Sequence, residues 1–88
     1  MTKLEAEELV RPYVGKVIEE IGTHIPDKSV YNYNFYRLPN GTVVLLQSDD
    51  DCFSEVAVVD GDIDSGNKIW VGGQQDFDDY GLMLGEFT

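Results

Sequence analysis

The sequence predicts an α+β fold, an N-terminal amphipathic helix packed on an antiparallel meander sheet of four to five strands. Three observations carry that expectation. Apolar residues near the start recur at helical spacing, at Leu9, Val10, Tyr13, Val14, Val17, Ile18 and Ile21. Short β-branched and aromatic runs follow, separated by turn-forming clusters. The 88 residues suffice for one domain, residues 1–88, with one modest core.

The helix has a legible start. Thr2-Lys3-Leu4-Glu5 reads as a capping box, with Thr2 as N-cap and Glu5 reaching back to its amide. Glu7 with Arg11 and Lys16 with Glu20 read as i,i+4 pairs, and Gly22 is placed to end the helix. Pro12 interrupts it, because proline removes one helix hydrogen bond and kinks or splits the helix.

Residues 23–29 read as a loop holding the only histidine, His24. Residues 30–38 read as a strand with Tyr31, Tyr33 and Phe35 on one face. A chain this small needs its large apolar groups inside, so that face is expected to be core; uncovered, it would be a partner or homodimer patch. Pro39-Asn40-Gly41 signals a hairpin turn, and residues 42–48 the return strand, apolar enough for burial on both faces or on one face plus a partner. Asp49-Asp50-Asp51 make the next turn, residues 53–59 a third strand, residues 60–67 a loop and residues 68–71 a fourth strand. Gly72-Gly73 is expected to break that strand. The tail, with Phe77, Tyr80, Leu82, Met83, Leu84 and Phe87, fits a short strand or an irregular cover.

Charge is distributed unevenly. Residues 1–48 carry six acids and five bases, whereas residues 49–88 carry eleven acids and only Lys68. The second half therefore holds −10 of the net −11. Such a surface repels nucleic acid and anionic membranes and attracts cations or basic proteins. The single cysteine, Cys52, forms no disulfide within the chain and fits a reducing compartment. No apolar h-region follows Met1, so the reading predicts a cytoplasmic protein without a signal peptide.

Catalytic equipment is sparse. Cys52 follows three aspartates, whose charge opposes a thiolate, whereas a reactive cysteine needs electropositive surroundings. One cysteine and one histidine are a poor start for zinc, and Gly72-Gly73 and Gly81 match no phosphate-binding fingerprint. No enzyme activity and no cofactor are expected. Asp60-x-Asp62-x-Asp64 offers hard oxygen ligands at alternating positions, which makes Ca2+ the alternative. An EF-hand loop counted from Asp60 would need glycine sixth and glutamate twelfth, where Ser65 and Val71 stand.

The remaining expectation is partner binding through Asp49, Asp50, Asp51, Glu55, Asp60, Asp62, Asp64, Asp76, Asp78 and Asp79. Clusters at the two ends of strand three lie roughly 25–30 Å apart, on the order of eight base pairs of duplex DNA. In size and charge the chain resembles the small acidic inhibitors of phages and mobile elements, and immunity proteins. That resemblance implies a non-enzymatic inhibitor that mimics nucleic acid and blocks a basic, nucleic-acid-binding protein. A calcium-binding β-loop module and a homo-oligomeric structural protein are the alternatives.

Overall fold

The computed structural model describes residues 1–48, 53–78 and 81–84. Helix α1 spans Lys3–Val10 and opens on the expected capping box: the Glu5 amide donates to Thr2 Oγ1 at 3.1 Å, and the Thr2 amide to Glu5 Oε1 at 3.1 Å. Glu7 and Arg11 approach to 4.0 Å, at the limit of an ion pair. Pro12 splits the helix. A short 3-10 helix over Arg11–Tyr13 follows α1, and α2 resumes only at Ile18–Ile21, with Gly22 as its C-cap. Ala6 and Val10 of α1 and Ile18 of α2 are fully buried, so the apolar stripe serves one core although the helix is broken.

Six antiparallel strands follow in meander order: β1 (Thr23–His24), β2 (Tyr33–Arg37), β3 (Val43–Ser48), β4 (Phe53–Asp60), β5 (Asn67–Asp78) and β6 (Gly81–Leu84). The α+β meander is as expected, with β1 a two-residue addition inside the expected loop. The Ile25 amide donates to the Phe35 carbonyl at 2.9 Å and Ser29 Oγ accepts from the Phe35 amide at 3.0 Å, so residues 25–29 cover much of the β2 edge. Covering an edge this way prevents pairing with another chain.

The β2–β3 turn is built as the Asn-Gly signal implies. Gly41 takes φ +88°, and Asn40 Oδ1 accepts from the Thr42 amide at 3.0 Å. Asn40 Nδ2 also donates to the Leu9 carbonyl at 2.9 Å, which satisfies one of the carbonyls left open at the end of α1. The hairpin is thereby tied to the helix.

Two expectations are corrected. Gly72-Gly73 does not end a strand, because β5 runs through them to Asp78. Ala57 faces Trp70 while Glu55 faces Gln74, so three β5 residues stand opposite Val56 alone. The glycines sit in this bulge, where an irregular backbone favours them. The second correction concerns Tyr31, Tyr33 and Phe35. The helices cover the opposite face, on which Tyr36, Leu38, Val44, Leu46, Val56, Val58 and Val71 form the main core. Tyr31 is 92% exposed and Tyr33 39%, and only Phe35 of the three is buried. The expected strand over residues 30–38 begins only at Tyr33, so Tyr31 lies in the turn before β2; for Tyr33 and Phe35 period-2 alternation gives one face but no information on which face the helix chooses.

The tail supplies β6, with Gln75 opposite Leu84 and Asp78 opposite Gly81. Helix α1 lies against β5, and α2, which leads into β1 at one edge of the sheet, lies near β6 at the other. The sheet is therefore strongly curled.

Candidate functional site

The face away from the helices is built in rows set by the strand register. Phe35, Leu45, Ala57 and Trp70 form one row across β2–β5. Arg37 and Val43, with Val59 and Lys68, form the row nearer the β4–β5 turn. On the other side Tyr33, Gln47 and Glu55 form a third. Phe35, Leu45, Ala57 and Val59 are buried as a second, smaller cluster, with Ile25, Val43 and Ile63 packed against it. The apolar run of β3 is thus buried on both sides, the first of the two arrangements its sequence allows. Trp70, Tyr33, Glu55 and Lys68 remain exposed around this cluster.

The cluster is closed by two loops. One carries Ile25 and Lys28, the other Ile63 and Asp64, and Lys28 Nζ sits 2.8 Å from Asp64 Oδ1 and 2.9 Å from Oδ2. The hydrogen bond and charge of Asp64 hold the Lys28 ammonium above the ordinary lysine range. Within the β4–β5 loop, Asp62 Oδ1 accepts from the Asp64 amide at 2.8 Å, an Asx turn. Asp60 Oδ2 stands 3.2 Å from the Met1 amino group. Gly66 closes the loop: its amide donates to the Asp62 carbonyl, and a Cβ there would strike the carbonyl oxygens of Asp60 and Asp62.

Asp60, Asp62 and Asp64 turn to three different partners: an ammonium, a backbone amide and a lysine. Among the described residues no group of three His, Cys, Asp or Glu side chains is placed to hold a metal ion.

His24 belongs to a structural network. Ser29 Oγ donates to the Ile25 carbonyl at 3.0 Å, accepts from the Phe35 amide at 3.0 Å and lies 3.1 Å from His24 Nε2. The His24 ring also lies 5.0 Å from that of Tyr36, whose phenol is pushed up by burial and by the charge of Glu19. An open groove of about 540 Å3 lies between the N-terminus and the two turns at one end of the sheet, with Leu9, Arg37, Asp60 and Ile63 on its walls. It combines charges of both signs with apolar walls and contains no paired nucleophile and base.

Of the residues expected to bind a partner, Asp49, Asp50, Asp51 and Asp79 lie outside the described residues, as do Cys52, Tyr80 and Phe87. Glu55, Asp62 and Asp64 are exposed, and Asp60 is half-buried. Asp76 faces Phe53 in the ladder, at the end of β4 opposite to Asp60, and Asp78 continues β5 beyond it. The carboxylate-bearing positions of residues 53–78 therefore mark both ends of the β4–β5 pair, with Glu55 on the outer face. The sequence reading missed Trp70 as a surface residue, although its alternation with Ile69 and Val71 in a half-buried strand was the available signal.

No family model, curated protein or solved structure matches this chain. Among the described residues no helix is long and apolar enough to cross a membrane.

Proposed function

We propose that this chain is a small acidic binding protein without catalytic activity. It docks on the basic surface of a nucleic-acid-binding protein and blocks it by imitating nucleic acid, as an anti-defence or immunity-type inhibitor acting in the cytoplasm. One observation carries this reading: −10 of the net charge belongs to residues 49–88. Solubility alone requires no such asymmetry. The strand geometry supports it. From Phe53 to Asp60 β4 rises about 23 Å, the length of roughly seven phosphate steps along one DNA strand. Acidic residues flank that length and Glu55 lies between them. Asp49, Asp50, Asp51, Asp60, Asp62, Asp64, Asp76, Asp78 and Asp79 would steer the encounter and meet lysine and arginine side chains. Asp60 and Asp64 keep internal ion pairs and contribute mainly to the field.

The test is capture. Nuclease-treated bacterial lysate is passed over the immobilised chain and over a variant carrying Asp62→Lys, Asp76→Lys and Asp78→Lys. The expected result is a nucleic-acid-binding protein that moderate salt releases and the variant fails to retain. Retention of the same proteins by both columns would overturn the reading.

A further inference from the structure

The outer face has a polarity along its strands. Arg37 and Lys68 stand at one end, the Phe35–Trp70 row in the middle, and Tyr33 with Glu55 at the other. Glu55 has no ion-pair partner among the described residues and is a diagonal neighbour of Trp70, which faces Ala57 on β4. Beyond Glu55 the register leads to the Phe53–Asp76 pair. A 38% exposed tryptophan and a 39% exposed tyrosine thus stand on a face whose bases lie at one end and whose exposed Glu55 lies toward the other.

We infer that this face is the seat of an arginine-bearing segment of the basic partner, with one guanidinium stacked on Trp70 and its fork on the Glu55 carboxylate, and a second contact at Tyr33. The inference rests on the acidic-docking reading and adds which face is used and which cation it selects. Three strand spacings and one side-chain row separate Tyr33 from Trp70, about 16 Å, which an extended peptide spans in roughly five residues. Arginine suits the site better than lysine because its planar fork engages a carboxylate and an aromatic face together. Exposed aromatic rings also stack nucleobases, but the net charge of −11 opposes a polyanion here.

Trp70 is the only tryptophan, so its emission reports on this face alone. The intact chain is titrated with nona-arginine, nona-lysine and a single-stranded oligonucleotide, with calorimetry beside fluorescence. Nona-arginine is expected to bind roughly three- to fivefold more tightly than nona-lysine and to shift Trp70 emission. Trp70→Leu should bring the ratio close to unity and leave lysine binding within about twofold. Glu55 is exposed, so Glu55→Gln leaves the core intact and should also reduce the ratio. Equal affinity for both peptides with silent Trp70 emission would overturn this inference while the acidic-docking reading stood. No binding of either peptide would remove both. Emission that shifts with the oligonucleotide, or with protein concentration alone, would assign the face to nucleic acid or to a second copy and overturn the inference.

Discussion

Gly66 shows how the aspartate-rich loop is held. The backbone folds so tightly that any Cβ at this position meets the Asp60 and Asp62 carbonyl oxygens, and backbone atoms cannot move aside as a side-chain tip can. Gly66→Ala should cost about 2 kcal/mol or more in urea unfolding, a large share of the stability of so small a domain. Lys28 and Asp64 clamp the same loop from outside. Lys28 titrates above its ordinary value of 10.5, and Tyr36, raised by burial, above 10.0. A raised folded pKa means stability that is fully present below the unfolded value and lost as pH rises through the folded one. Melting temperature should therefore hold up to about pH 10 and then fall, with part of the alkaline slope missing in Lys28→Ala. Calcium at millimolar concentration should leave the melting temperature unchanged, since the three loop carboxylates have separate partners. Alternating aspartates were visible in the sequence, but their partners were not. Lys28 lies 36 residues from Asp64, and only the fold brings them together.

At the scale of elements, local chemistry was read well and long-range choices poorly. The capping box needs only four adjacent residues, and it is formed. Thr2→Ala should cost about 1 kcal/mol. The backbone and side-chain hydrogen bonds of Thr2 hold Glu5 below the ordinary carboxylate range, so the cap contributes above that range and is lost as pH falls through the lowered value. Asn40-Gly41 likewise announced its turn, though not that Asn40 would bind the Leu9 carbonyl at the end of α1. Pro12 announced a kink or a split without deciding between them, and the helix is split. What holds α2 afterwards is packing, because four residues cannot sustain a helix alone. Ile18 is its one fully buried residue, and Ile18→Ala should cost about 2–4 kcal/mol in chemical unfolding. The Gly72-Gly73 bulge was misread as a strand end because glycine marks both, and only the partner strand distinguishes them. The Tyr33–Phe35 alternation identified a face, while which face the core took depended on where α1 and α2 settled, and Tyr31 fell in the turn before β2.

Across the whole molecule, a curled sheet separates two unequal faces. One is sealed by α1 and α2 over the main core, and the other is half-closed by two loops joined through Lys28 and Asp64. The exposed aromatic surface of Trp70 and Tyr33 shares the second face with Glu55 and with the bases Arg37 and Lys68. Lys68 is the one base in residues 49–88, and it shares that face with Trp70. Lys68→Glu should tighten binding to nona-arginine and steepen its salt dependence, read by calorimetry at two salt concentrations. The charge asymmetry was legible from composition alone. Its arrangement along β4 and β5 needed the ladder register, and Trp70 as its aromatic companion needed the exposure of the folded chain. The most direct test of the account is competition between duplex DNA and this chain for whatever nucleic-acid-binding protein the lysate capture recovers. Mutually exclusive binding, with apparent affinity for the chain falling in proportion to added duplex, is the predicted result. A ternary complex, with the chain and duplex bound at once at undiminished affinity, would contradict it.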